Sequence, residues 1–279
     1  MMRNPQLWPH PRALDPKRPA LILLHGFTGS ASVWNDVVAL LDQSFECLAL
    51  DLPGHGGNRC EDHPDAFSLP GVCDLVVDLL DRLSLPRVHL WGYSMGGRIA
   101  MQFALRNPMK ISRLVLESAS PGIVDPAERA ARLAADQRLA QRIVEIGVES
   151  FAEEWMAQAL FASQQAIPAA RREKARAIRV ANSAAGLASA LGGFSVGRQE
   201  PIQTRLGELT MPVLLATGEF DLKYRAFSEQ MARSIPGSQL RIIPGSGHAP
   251  HWENPAAMSA CVRSFLLRDQ SASRDRVTR

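Results

Sequence analysis

Short, almost continuous apolar runs alternate along this chain with segments of helical period. ALILLHG (20–26), FECLALD (45–51), RVHLWG (87–92) and SRLVLES (112–118) lie in the first half; PVLLATG (212–218) and QLRIIPG (239–245) come later. Runs of this kind suit strands covered on both faces. Helical periods near 32–41, 69–83, 95–106, 225–234 and 255–267 separate them. The pattern predicts an α/β fold with a mostly parallel, doubly wound sheet.

One region departs from the alternation. Residues 122–205 carry no strand signal, only helix-favouring Ala, Arg, Glu, Leu and Gln with expected breaks at Gly147, Pro168 and Gly186. A helical insertion of this length is expected to sit as a lid over a core made of 1–121 and 206–279.

Composition narrows the functional classes. The 279 residues are 46% apolar and 21% charged, with a net charge of +3 and no basic stripe, which argues against a nucleic-acid partner. The N-terminal MMRNPQLWPHPRALDPKRP has no apolar core of a signal peptide, and no run approaches the roughly 18 residues of a membrane span. Cys47, Cys60, Cys73 and Cys261 have neither CxxC spacing nor disulfide-scaffold density, and read as reduced thiols of a cytoplasmic protein. The polar tail from Arg268 is expected to fray. Oligomeric state is not encoded at this level.

The chemistry concentrates at the ends of the apolar runs. GYSMG (92–96) matches the G-x-S-x-G elbow, a tight strand-to-helix turn that projects a serine hydroxyl from the sheet. Ser94 then needs a base and an acid later in the chain. Asp221 follows the run at 212–218, and His248 follows the run at 239–245. Glu117 and Glu219 also stand at strand ends, but Asp221 lies past its strand, where a loop can deliver it to the histidine. His251 is expected on the surface or facing the lid, and His25 is expected to brace its own loop. In HGFTG (25–29) the glycines let the backbone curl inward, so the N–H groups of Phe27 and Met95 are the expected oxyanion donors. DLPGHG (51–56) reads as structural punctuation.

Together these motifs resemble the α/β-hydrolase superfamily over nearly the whole chain. Within it, GYSMGGR, SASPG (118–122), ERAARLAADQRLAQRIVEIG (128–147) and FAEEWMAQALF (151–161) resemble the 2-succinyl-6-hydroxy-2,4-cyclohexadiene-1-carboxylate synthases of menaquinone and phylloquinone biosynthesis. The resemblance implies a lyase that eliminates pyruvate from a polycarboxylated cyclohexene, with Ser94 as base. It implies carboxylate-binding arginines at Arg98, Arg132 and Arg176, an aromatic wall of Tyr93 and Trp155, and a lid inserted after the sixth strand. No cofactor and no metal is implied. The hairpin that opens many sheets of this superfamily is not visible before Ala20, so the sheet is expected to start short. The joining segment at 191–206 resembles the family only loosely.

Other readings of the same residues stay open. Arg132 and Arg176 stand on arginine-rich segments that suit a solvated face, Tyr93 and Trp155 could pack the lid, and Arg98 could pair with an internal carboxylate. The triad equally suits a serine hydrolase of esters, thioesters or carbon–carbon bonds, although three arginines aimed at carboxylates point away from it. A ligand-binding protein without turnover is the third class.

Overall fold

The computed structural model describes residues 7–8, 14–60 and 63–268. Its sheet has the strand order β1-β3-β2-β4-β5-β6-β7. The strands are β1 (Leu7–Trp8), β2 (Ala20–Leu24), β3 (Glu46–Leu50), β4 (Val88–Tyr93), β5 (Ile111–Glu117), β6 (Val213–Gly218) and β7 (Gln239–Ile243). β2 to β7 are parallel, and only β1 runs antiparallel, beside β3. The sheet therefore does not begin at Ala20; a two-residue strand precedes it. The frayed tail expected beyond Arg268 lies outside the described residues.

The helices are α1 (Asn35–Leu41), α2 (Leu69–Arg82), α3 (Met95–Arg106), α4 (Pro126–Met156), α5 (Ala169–Val180), α6 (Ala184–Gly193), α7 (Leu222–Ser234), α8 (Pro250–Glu253) and α9 (Pro255–Leu267). The strand period of two divides the apolar residues between two layers. Ile22, Leu24, Leu48, Leu50, Leu90 and Leu116 face α2, α3 and α7. Leu21, Leu23, Ala49, Trp91 and Val115 face α1 and α9. Fully burying one such leucine contributes about 1.5–3 kcal/mol relative to leaving it in water. That coverage explains the continuous apolar runs of the central strands. β7 is the exception: it is an edge strand whose Arg241 is exposed, so the expectation of burial on both faces fails there.

Residues 122–205 hold α4, α5, α6 and a 3-10 stretch (Ala159–Ala166), with no strand. Among the described residues they follow the fifth strand and not the sixth, since a single two-residue strand stands there before β2. Gly147 breaks α4 with φ 77°, as its lack of a side chain permits. Pro168 precedes the first residue of α5. Gly186 breaks nothing; it sits in the first turn of α6, capped by Ser183, where a Cβ would overlap or crowd the Gly54 backbone. Its glycine serves close approach between this segment and the core. Ile143, Phe151, Leu187 and Leu191 form a small apolar cluster of their own, which Phe27 joins from the core side. Among the described residues no helix is long and apolar enough to cross a membrane.

Candidate active site

β4 ends at Tyr93 and α3 begins at Met95, so Ser94 has to turn the chain alone. It does so at φ 51° and ψ −110°, a conformation costly to a residue with a Cβ. Its N–H donates to the Glu117 carbonyl oxygen at 2.9 Å, which ties the turn to β5. The turn is tight enough that a Cβ on Gly96 would overlap the Leu24 carbonyl oxygen and one on Gly92 the Gly96 carbonyl oxygen.

Asp221 caps α7, its Oδ1 accepting from the Tyr224 N–H at 3.3 Å. The other oxygen, Oδ2, lies 2.7 Å from His248 Nδ1, and His248 Nε2 lies 3.1 Å from Ser94 Oγ. The carboxylate accepts from Nδ1–H, which leaves Nε2 with the lone pair to receive the hydroxyl proton. Asp221 and His248 are both buried, so water does not compete for these bonds. The chain thus brings together three residues separated by up to 154 positions.

The other acids are engaged elsewhere. Glu117 Oε1 accepts from His251 N–H at 2.9 Å and from His251 Nδ1 at 2.8 Å, and its Oε2 accepts from Trp91 Nε1 at 2.9 Å. His251 is therefore not superficial, and on one side it shares a small cavity with Phe161, Ala175 and Arg179 of the 122–205 segment. It is 2% exposed, with its ring 4.5 Å from those of Trp34 and Tyr93. A buried carboxylate needs donors, and the α8 turn supplies them from this residue. Glu219 accepts from the Gly245 N–H at 2.9 Å in an exposed turn.

The 25–29 loop is held by neutral imidazoles. His25 Nδ1 donates to the Gly26 carbonyl at 2.8 Å, and its Nε2 accepts from Leu52 N–H at 3.0 Å. His55 Nδ1 donates to the Pro53 carbonyl at 3.1 Å, and its Nε2 accepts from Thr28 N–H at 3.3 Å. Burial pushes His25 down to about 4 and His55 to about 3. DLPGHG is accordingly more than a turn: Asp51 also accepts from Ala31 N–H at 2.7 Å and Gly57 N–H at 2.9 Å. The result is a rigid loop that carries Phe27 to the same cavity as Met95, the first residue of α3.

That cavity, about 770 Å³, is lined by Ser94, His248, Asp221, Arg98, Arg132 and Trp155 among others. Arg98 donates through Nη1 to Gln199 Oε1 and through Nη2 to the Phe194 carbonyl, both at 2.8 Å. Among the described residues it makes no ion pair, although burial pushes its pKa only to about 10 and it stays cationic at neutral pH. Arg132 pairs with Asp136 at 2.8 Å, and the second oxygen of Asp136 accepts from Ser195 Oγ at 2.7 Å. Trp155 packs edge-on to Phe27 at 5.2 Å.

Two expected binding residues lie elsewhere. Arg176 faces away from the cavity and pairs with Glu149 at 2.9 Å and with Glu153, because α5 turns this position toward the acidic face of α4. Tyr93 lies behind the triad, its ring 5.3 Å from that of His248, on a smaller cavity of about 30 Å³. That cavity also contains Arg179, which sequence reasoning passed over. Its guanidinium carbon lies 5.7 Å from the Phe161 ring centre, Nη1 donates to the carbonyl of Ala175 at 2.9 Å, and buried Nε has no partner. Burial lowers its pKa. Tyr224 was also missed, although it follows Asp221 by three residues and its ring lies 4.4 Å from that of His248.

Residues 19–255 match the α/β-hydrolase fold family. The chain belongs to it. A 2-succinyl-6-hydroxy-2,4-cyclohexadiene-1-carboxylate synthase of Enterobacter sp. is 34% identical over 91% of this α/β-hydrolase chain and 94% of its own length. MenH from S. aureus superposes with a TM-score of 0.88 at 29% identity, covering 95% of this chain and 98% of that one. A malate-bound thermophilic esterase from Thermogutta terrifontis superposes at 0.78 with 26% identity, covering 89% of each chain.

Proposed function

We propose that this α/β-hydrolase is the synthase that eliminates pyruvate from 2-succinyl-5-enolpyruvyl-6-hydroxy-3-cyclohexene-1-carboxylate, forming 2-succinyl-6-hydroxy-2,4-cyclohexadiene-1-carboxylate in menaquinone or phylloquinone biosynthesis. The Enterobacter relative carries that name, and the match spans 94% of its length. The observation that carries the reading in the site itself is Arg98, a half-buried cation held by two neutral acceptors in the same cavity as Ser94. A desolvated guanidinium without a carboxylate partner favours an anionic ligand, and this substrate brings several carboxylates.

In this reading Ser94 is the base. His248 draws the hydroxyl proton, Asp221 stabilises the imidazolium, and the serine oxygen removes a proton from the ring. The C–H electrons form a ring double bond next to the existing one, that existing double bond shifts one position toward the enolpyruvyl-bearing carbon, and the C–O bond there breaks. The His248 imidazolium returns its proton to the departing enolpyruvate, giving pyruvate, while Ser94 keeps the ring proton. The N–H groups of Phe27 and Met95 are suited to the developing negative charge. Arg98 and Arg132 hold carboxylates, with Arg179 in place of Arg176 as the third cation, and Trp155 supplies an apolar wall. Residues 122–205 serve as the lid and 1–121 with 206–279 as the core.

The test is pyruvate release from freshly prepared precursor, compared with buffer and with Ser94→Ala, because the precursor also decays unaided. Fast release that Ser94→Ala abolishes, with binding retained, is the expected result. Folded protein no faster than buffer would overturn the reading and turn the search to esters and thioesters, the chemistry of the esterase neighbour.

A further inference from the structure

We propose that Glu253 is a positioning residue for this reaction, its carboxylate holding the backbone on both sides of His248. The part of this inference that concerns turnover rests on the synthase reading; the part that concerns His248 does not.

Glu253 ends α8, a single turn whose N-cap, Ala249, directly follows His248. The turn is closed by the Glu253 N–H, which donates to the Ala249 carbonyl at 2.8 Å. The side chain then folds back along it. Oε2 accepts from Gly247 N–H at 2.7 Å, and Oε1 accepts from Ala249 N–H at 3.0 Å. Residue 248 is the one position between these two anchors. Both carboxylate oxygens are in use on donors whose spacing the backbone sets, so neither an amide nor a shortened acid satisfies the pair.

The remaining neighbours leave Gly247 little freedom. A Cβ on Gly218 would overlap its carbonyl oxygen, and a Cβ on Gly247 itself would overlap the Ser163 side chain. What the carboxylate adds is the third point of support, on the α8 side. The support matters because His248 Nε2 and Ser94 Oγ stand 3.1 Å apart, at the long end of the hydrogen-bonding range. A loop displacement of a few tenths of an ångström takes the base out of reach. Asp221 restrains the imidazole through Nδ1 but cannot restrain the backbone that carries it. Glu117 grips the same turn further on, at His251, and leaves 247–249 to Glu253.

The test compares the full chain with Glu253→Gln and Glu253→Ala by two readouts. The first is the deshielded proton that His248 Nδ1 shares with Asp221, observed by proton NMR without substrate and assigned by its loss in His248→Gln. The second is kcat and KM for pyruvate release. Glu253→Ala is expected to lose the resonance to solvent exchange. Its kcat should fall by about 10- to 100-fold with KM within about threefold, the signature of a misplaced base and not of a lost binding contact. Glu253→Gln, which keeps one acceptor, is expected to fall between the two, and it decides the matter alone if the alanine variant does not fold. An unchanged resonance, an unchanged kcat, or a KM that rises in step with the loss of kcat overturns the proposal. If the parent chain releases no pyruvate, the synthase reading has failed, and the resonance alone decides whether Glu253 positions His248.

Discussion

Arg98 stands one helical turn beyond Ser94, and its guanidinium is held by Gln199 Oε1 and the Phe194 carbonyl, two acceptors without charge, each at 2.8 Å. Gln199 and Phe194 both belong to the stretch that returns from the helical segment to the core. The cation is therefore aimed by the 122–205 segment while its backbone belongs to α3, packed on the sheet. Arg98→Ala is expected to lose about 2–4 kcal/mol of transition-state stabilisation, a fall in kcat/KM of about 30- to 1000-fold. Arg98→Lys, a point charge without the planar fork, should recover only part of it. Steady-state pyruvate release checks both, and normal kinetics in the alanine variant would remove Arg98 from the site.

Ser94, Asp221 and His248 were legible in the sequence because each is tied to the end of an apolar run, and a parallel sheet gathers such ends along one edge. The same logic put forward Phe27 and Met95, which line the same cavity as Ser94. It did not reach Gln199 or Arg179, which act on the cavities from helices and returns whose orientation depends on how the 122–205 segment packs. Arg176 came from the family resemblance and not from this logic: the helical period says that Arg176 and Arg179 are near neighbours on α5, but only the packing against α4 says which of them Glu149 and Glu153 take. The burial of His251 was missed because nothing in GHAPHWE announces that Glu117, 134 residues earlier, supplies its buried acceptor.

Glycines separate into those the elbow requires and those it does not. Gly96→Ala should cost more than about 3 kcal/mol or prevent folding, since the added carbon would strike the Leu24 backbone and not a movable side chain. Gly192→Ala is the control. It lies inside α6 with ordinary φ and nothing within 4 Å of an added Cβ, and should stabilise the chain by about 0.5–1 kcal/mol. Urea unfolding of the two variants beside the parent protein reads both effects.

Acid should destabilise the fold through buried histidines before the carboxylates titrate. Burial pushes His25 and His89 down to about 4 and His55 to about 3, against 6.5 for an unfolded chain. Above pH 6.5 the imidazoles are neutral in both states and their contribution is intact. As the pH falls from 6.5 toward 4 the unfolded chain takes up protons that the folded one refuses, so stability is lost. At pH 5 the loss is on the order of 2 kcal/mol per histidine. His89 offers the clean test, because its Nδ1 has no partner and its ring packs against Phe45. His89→Leu should flatten the decline in unfolding free energy between pH 7 and pH 5; an equal slope in both proteins would show that its burial sets no such penalty.

Arg176 and Arg179 give opposite expectations from positions three apart on one helix. Arg176 is a partly exposed surface cation already paired with Glu149 and Glu153, so Arg176→Ala should leave kcat and KM within about twofold, as surface ion pairs contribute little. Arg179 has a buried Nε without a partner, beside Tyr93 and His251 and one Phe161 ring away from His248. If a carboxylate of the substrate reaches that guanidinium, Arg179→Ala removes a charge-assisted contact and should lower kcat/KM by about tenfold or more. A dicarboxylate titrated into the two variants separates binding from packing. Weaker binding in Arg179→Ala alone, with its melting temperature near that of the parent, assigns the third cation to position 179. The reverse order would restore Arg176 and require the α4–α5 pairing to open in solution.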